Sequence, residues 1–405
     1  MSIIDEINNV VKWQQFLEHK IQNNNIAKSE EDALLKFIED KKYEYYYEQI
    51  KNGNFPKDFP HKLIVNKEDS NKKRIVYSYE NEENIVLKFI AYNLYEFDDV
   101  FSKNTYAFRR GYGVKDAIKR LKGSEKFEEY YCYKADISNY FNSIDVDILI
   151  DKLLFVKERD YELFKLFEKI LREERVYSEG EIIRENHGAM AGMPCSPFFA
   201  NVYLKELDKY FEEKNIPYFR YSDDILIFAE NEVKLEEFMD LFKEMIEKNR
   251  LKLNEAKIML TKPYEVFEFL GFAYDRGVID LSNNTKHKIK AKIKRKSEAL
   301  RRWQRSKNLT EDKAVIGFIK AMNKKFYGGN SKEIDEDDFT WSRWFFPNIT
   351  TDRSLKEIDE YMQQYIRYVV TGRHYKGNYK ITYEQMKEWG YRSLVHEYYK
   401  MKKRG

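Results

Sequence analysis

The chain has 405 residues, 42% apolar and 35% charged, with 32 Tyr and 28 Phe and a formal net charge of only +3. That content supports a sizeable core over two or three packing units and excludes wholesale disorder. Cys132 and Cys195 are the two cysteines and form no CxxC pair, which excludes a disulfide scaffold or structural zinc site and fits a reducing compartment.

From the N-terminus, Met1 to Trp13 carries Asp5 and Glu6 and lacks a basic-then-apolar leader pattern. No apolar run is long enough to span a bilayer, so a soluble, cytoplasmic protein with no membrane partner is expected. Residues 1 to 60 read as helical and highly charged, closed by Asn52-Gly53-Asn54-Phe55-Pro56. Lys62 to Tyr79 is strand-rich, and Ile85 to Phe97 is an apolar helix. Gly111 and Gly113 mark a loop before a helix over Val114 to Leu121. Glu129 to Ile137 is aromatic and β-prone, a buried strand. A helix follows over Asp147 to Phe155, then a hairpin around Glu179-Gly180. Pro197 opens a helix reaching Glu213. Tyr218 to Ala229 is the clearest hairpin, apolar on both sides of Ser222-Asp223-Asp224. Val233 to Asn249 is an amphipathic helix, and Ile258 to Tyr274 holds two short strands. From Thr285 onward the chain reads helical and basic, apart from a Trp-rich stretch near Asp337 to Thr351. Three segments are expected: an N-terminal helical region over 1–60, a mixed α+β region over 61–280, and a helical, basic region over 281–405.

Asp136 ends the buried strand, and Asp223 and Asp224 sit at the turn of the apolar hairpin. A tight turn can aim adjacent carboxylates near one point. Three such carboxylates can hold two hard cations, one activating the attacking oxygen of an in-line phosphoryl displacement and the other stabilising the leaving oxygen. Mg²⁺ suits oxygen ligands and substrate phosphates. The rival reading is a solvated Asp turn, but a turn flanked by Ile225 to Phe228 would be buried, and buried paired carboxylates need a counter-charge.

These residues carry a resemblance. Tyr221-Ser222-Asp223-Asp224 resembles the Tyr-x-Asp-Asp box of reverse transcriptases. Ala135-Asp136-Ile137-Ser138-Asn139-Tyr140-Phe141 is similar to the family's first catalytic motif. Gly188 to Asn201 resembles the Pro-Gln-Gly-x-x-x-Ser-Pro-x-x-x-Asn motif, Leu253-Asn254 with Lys257 the next, and Phe269-Leu270-Gly271-Phe272 the one after. Asn104 to Arg109 is similar to the Phe-Arg segment of group II intron and retron enzymes. The matches run in the family's order over residues 70 to 275. The resemblance implies a right hand: fingers, an RRM-like palm with an antiparallel sheet, a helical thumb and a C-terminal helical extension.

It further implies roles. Asp136, Asp223 and Asp224 are the expected catalytic residues and, with Ile137, the expected positions for two Mg²⁺ ions, Mn²⁺ being the alternative. Lys72, Arg74 and Lys257 are expected to face the nucleotide, with Ala191 and Gly192 beside it; Ala191 stands where the family usually has Gln. Phe141 is expected at the sugar's C2′ edge, with Tyr140 the other candidate. Arg109 is expected on phosphate or template, with a structural salt bridge as its rival reading. Between Lys286 and Lys320 there are thirteen Lys and Arg against three acids; Lys292, Arg295 and Arg302 represent this RNA-binding stretch. Aromatics interleaved with Arg and Lys to the C-terminus suit RNA stacking, or else helix core.

No Gly-x-x-x-x-Gly-Lys loop or His-Glu-x-x-His is present, and the six histidines are scattered. Thr371 to Tyr375 and Gly390 to Leu394 resemble the tail of stand-alone bacterial "unknown group" reverse transcriptases, closest to type 2. That implies an RNA-directed DNA polymerase taking dNTPs, copying a partner non-coding RNA into cDNA in anti-phage defence. The alternatives are an RNA-dependent RNA polymerase, an untemplated or protein-primed DNA polymerase of the abortive-infection type, and an idle RNA-binding scaffold.

Overall fold

The computed structural model describes residues 2–22, 26–66, 73–123, 126–328 and 340–403. The chain divides into two units, Met1–Ile21 with Asn25–Glu265, and Val266–Gly405 with Gln22–Asn24. The expected boundaries at 60 and 280 differ from this division. The N-terminal helices belong to the first unit because their aromatics enter its core. Trp13 is fully buried, stacks on Phe89 at 4.0 Å between ring centroids, and donates its indole N–H to the Ile7 carbonyl at 2.7 Å.

The first unit contains two four-stranded sheets. One joins β1 (His61–Asn66) to β2 (Lys73–Ser78) antiparallel, then β4 (Arg175–Ser178) and β5 (Glu181–Arg184), in the order β2-β1-β4-β5. The other is the palm sheet, built from β3 (Tyr131–Asp136), β6 (Tyr218–Tyr221), β7 (Asp224–Ala229) and β8 (Met259–Thr261), in the order β6-β7-β3-β8. After Asp224, β7 is buried at every position, so both faces of the strand are covered and the usual polar alternation is absent. One covering element is the helix Glu232–Lys248. Asn231 caps its N-terminus by accepting from the Lys234 N–H, and Leu235, Phe242 and Ile246 form its buried stripe. The helix expected from Pro197 to Glu213 breaks at Leu204 into Ser196–Tyr203 and Lys205–Glu213.

The second unit opens with an antiparallel meander, β9 (Phe267–Phe269), β10 (Phe272–Asp275) and β11 (Val278–Leu281). The two short strands expected up to Tyr274 are thus three, shared between units. The long helix Asn283–Lys307 begins at Ser282, whose hydroxyl accepts from the Thr285 N–H at 3.1 Å. It buries Ile289, Ile293 and Ser297, four residues apart, against helices Glu311–Tyr327 and Arg353–Thr371. Asp359 on the helix Arg353–Thr371 is buried and accepts from the Tyr391 and Ser393 hydroxyls and the Leu394 and Val395 amides, at 2.6–3.1 Å. Among the described residues no helix is long and apolar enough to cross a membrane.

Asp359→Ala should therefore leave two amides and two hydroxyls without their acceptor. A loss of about 3 kcal/mol or more is expected, read as a lower denaturant midpoint for the second unit, with Asp359→Asn intermediate.

Candidate active site

The hairpin that carries two of the acids is closed by register. Tyr221 pairs with Asp224, leaving Ser222 and Asp223 as a two-residue turn, and Ser222 takes a left-handed backbone at φ 61°. On the other side of β7, Asp136 pairs with Asp224. The Ile137 amide donates to the Asp223 carbonyl at 3.2 Å, which draws the turn onto the end of β3. Residues Lys252 to Asn254 strap the same point: the Ser138 amide donates to the Lys252 carbonyl and the Asn254 amide to that of Asp136. Asp136, Ile137, Asp223 and Asp224 thus come together at one sheet end, from segments almost ninety residues apart in sequence at their widest.

Their electrostatics are unfavourable for three free carboxylates. Burial pushes the Asp224 carboxyl up to about 6; Lys134 opposes the rise and the charges of Asp223 and Asp136 add to it. Asp223 is raised by burial and then by Asp136, while Lys257 and Arg74 pull it down. The counter-charges are lysines: Lys257 Nζ lies 2.6 Å from Asp136 Oδ2, and Lys134 Nζ lies 3.5 Å from Asp224 Oδ1. That Oδ1 is buried and has no hydrogen-bond partner. Among the described residues no three His, Cys, Asp or Glu side chains stand in a chelating arrangement; two of these three acids are held by lysines. The donor set is nevertheless all oxygen, and the buried Asp224 Oδ1 is met by the Lys134 charge at 3.5 Å, so the three acids would suit a hard cation in place of the lysines.

A buried ion pair supports the turn, and the sequence reading missed it. Arg220 and Asp208 are both fully buried. Arg220 Nε donates to Asp208 Oδ1 at 2.7 Å and Nη2 donates to Oδ2. Nη1 donates to the Ser222 carbonyl at 3.2 Å and to Asn201 Oδ1 at 3.3 Å. Burial works against the guanidinium charge, but Asp208 outweighs it and holds the arginine protonated. The signal was present: an Arg inside Tyr218-Phe219-Arg220-Tyr221, an otherwise aromatic buried strand.

Phe141 and Tyr140 separate cleanly. Tyr140 is core, its hydroxyl donating to the Ala200 carbonyl at 2.6 Å. Phe141 is half-buried on the short helix Tyr140–Ser143. Gly188 lies under it at φ 57°, where a Cβ would stand 2.6 Å from the Phe141 carbonyl oxygen; no side chain fits. The Ala191 amide donates to Asn142 Oδ1 at 3.0 Å and its carbonyl accepts from the Tyr77 amide at 2.7 Å. Ala191 is buried. At Gly192, φ 102°, a Cβ would meet the Tyr77 oxygen and the Val76 Cβ, so the close approach is to β2. Arg74, on the same strand, is exposed and its charge reaches Asp223. Lys72 lies outside the described residues.

Arg109 requires a correction. It is buried, paired with Asp98 at 2.9 Å, and bonded to the carbonyls of Ser102 and Thr105, with Tyr112 stacked 4.1 Å from its guanidinium. Its donors are taken up inside the protein, so the structural reading replaces a phosphate or template contact. The C-terminal aromatics correct likewise toward core: Phe345, Phe346, Tyr391 and Tyr398 are buried, and Arg392 pairs with Glu397 at 2.7 Å. Tyr375, Tyr379 and Tyr399 remain exposed. On the helix Asn283–Lys307, Arg295 and Arg302 share an exposed face by helical register, opposite the Ile289–Ile293 stripe, with half-buried Lys292 beside the stripe. Lys286 and Lys290 pair with Glu357, and Arg301 donates to the carbonyls of Val369 and Val370.

An antiparallel palm sheet with acids at one end, above a strained two-residue turn, defines the right-hand polymerase class. A family profile described as reverse transcriptase (RNA-dependent DNA polymerase) matches residues 65–274. The chain belongs to that family. No curated protein matches it. Similar solved structures include apo telomerase from Candida tropicalis (10% identity, TM-score 0.46, 84% of this chain and 61% of that one) and a form of it lacking the C-terminal domain (12%, 0.42, 55% and 55%). Telomerase from Candida albicans in complex with the TWJ fragment of telomeric RNA is also similar (10%, 0.44, 82% and 62%). The chain spans less than two thirds of the length of each.

Asp208→Ala should destabilise the first unit by about 3–5 kcal/mol, because it strands a buried guanidinium. Asp208→Leu with Arg220→Met should be much milder in a denaturant titration, yet still lower nucleotide incorporation at least about tenfold, since the Ser222 carbonyl loses its donor.

Proposed function

We propose that this chain is an RNA-directed DNA polymerase that copies a partner non-coding RNA into cDNA from dNTPs, acting in anti-phage defence in the cytoplasm. The observation that carries the chemistry is the pairing of Asp136 with Asp224 beside Asp223 in strand register, three acids at one sheet end with lysines as counter-charge. Asp136, Asp223 and Asp224, with Ile137, would hold two Mg²⁺ ions, Mn²⁺ being the alternative. Bound there, the ions supply activation of the attacking hydroxyl and stabilisation of the leaving pyrophosphate. Arg74, and Lys72 with it, neutralise the triphosphate. Phe141 lies along the sugar and excludes a 2′-hydroxyl by bulk, which disfavours a ribonucleotide polymerase. Lys257, paired with Asp136 at 2.6 Å, would give up that carboxylate to a bound cation.

The thumb and C-terminal extension over 281–405 are the proposed RNA grip. Lys292, Arg295 and Arg302 supply phosphate contacts, while exposed Trp303 on the same helix offers a ring for an unpaired base. The type 2 resemblance supports the defence role. The rival is an untemplated, protein-primed DNA polymerase, favoured by exposed tyrosines such as Tyr264 and Tyr379. Sequencing the nucleic acid that copurifies from the native host separates the two: one enriched RNA with its complement supports copying, and DNA without a template, covalently joined to the protein, supports the rival.

Asp223→Ala with Asp224→Ala should abolish primer extension in Mg²⁺ while leaving the fold and RNA binding intact; near-normal extension would refute the metal reading. Lys292→Glu, Arg295→Glu and Arg302→Glu together should weaken RNA binding and flatten its log–log salt dependence by about two to three. In a filter-binding salt series, an unchanged slope would place the RNA elsewhere.

A further inference from the structure

Phe108 has no assigned role, yet its conformation is costly. Its φ is 58°, a left-handed backbone that bulky side chains rarely adopt, and the residue remains 42% exposed. The backbone on both sides is pinned. The Ala107 carbonyl accepts from Asn201 Nδ2 at 2.8 Å, the Tyr106 amide donates to the Arg220 carbonyl at 2.9 Å, and Arg109 is locked onto Asp98. Strain of this kind persists where its surroundings over-determine it, and it concentrates at functional sites. What these pins achieve is a contact: the Phe108 ring meets Phe141 edge to face, 6.1 Å between centroids at 75°.

Phe141 is otherwise fixed from below and from one side. Its carbonyl accepts from the Ala189 amide at 2.8 Å, and the ring of core-anchored Tyr140 lies 5.8 Å away. The ring's remaining freedom is to swing, and Phe108 occupies a flank. A ring that swings aside gives a 2′-hydroxyl the room that bulk is meant to deny. Resting on the reading of Phe141 as the residue at the sugar, we propose that Phe108 is a positioning residue. It braces the Phe141 ring and so sharpens discrimination of deoxyribonucleotides from ribonucleotides.

The test is single-nucleotide incorporation with dNTP and rNTP in competition, on the full chain. Phe108→Ala should lower the dNTP preference roughly two- to tenfold, the range of an aromatic edge contact. The gain should fall on rNTP use, with kcat for dNTP little changed, and Phe108→Tyr should retain the preference. Phe141→Ala should lose more, roughly ten- to two-hundredfold, and adding Phe108→Ala to it should cost nothing further. If Phe108→Ala misfolds, Phe108→Leu carries the same expectation. An unchanged preference in both Phe108 variants, with Phe141→Ala impaired, overturns the brace alone. An equal loss in the Phe141→Ala background also overturns it, because Phe108 would then touch the nucleotide itself. An unchanged preference in Phe141→Ala overturns the sugar-gate reading first, and the brace with it.

Discussion

The Arg220–Asp208 pair is the interaction on which the catalytic geometry depends. Asp208 comes from the helix Lys205–Glu213 and also accepts from the hydroxyls of Thr105 and Tyr218. Arg220 reaches the Ser222 carbonyl and Asn201, and its own main chain bonds to Asn104 and Tyr106. The guanidinium thus joins two helices, through Asp208 and Asn201, to the turn that aims Asp223 and Asp224, and the main chain of Arg220 ties in the Asn104–Tyr106 segment. Desolvating two charges is expensive, so such a pair adds little net stability compared with apolar residues of equal size. Its product here is placement: every donor and acceptor has a fixed direction, and an apolar core would leave the turn free to relax.

Relaxation would be downhill, because the site is strained around its rim. Phe108, Asn139, Met190 and Ser222 all take left-handed backbones, and Gly188 and Gly192 do so where a Cβ would collide with neighbouring chain. Each non-glycine position of this kind costs on the order of 1–3 kcal/mol. The strain serves proximity. It turns the Tyr140–Ser143 helix sharply out of β3, lets the chain at Gly188 lie flat beneath Phe141, and brings Ala191 between Asn142 and β2.

Charge is balanced with the same economy. Three acids sit at one sheet end, and Lys134 of β3 and Lys257 of the turn Glu255–Lys257 stand where cations are proposed. Lys134 lies two residues before Asp136 on the same strand, so strand alternation points both to one face. Lysine suits that place because it is a mobile point charge, able to swing away, unlike the rigid fork of an arginine.

The carboxylates and the apolar hairpin that carries two of them were legible in the sequence because each is a local pattern. Strand alternation, an apolar run interrupted by Ser-Asp-Asp, and a motif order need no knowledge of distant partners. The α+β class followed from the same periodicities. What the tertiary structure decided was the fate of residues whose neighbours are remote in sequence. Arg109 and Arg220 are both arginines in aromatic surroundings, and either could have faced nucleic acid; Asp98 and Asp208 made both structural. Tyr140 and Phe141 are adjacent rings, and the Ala200 carbonyl, sixty residues on, drew one into the core. The basic helix after Ser282 read as a uniform charge run, but Glu357 and the carbonyls of Val369 and Val370 took up part of it. Sequence states which chemistry a side chain can perform; burial and partners, which only the folded chain supplies, settle whether that chemistry is turned inward to hold the fold or left available for a substrate.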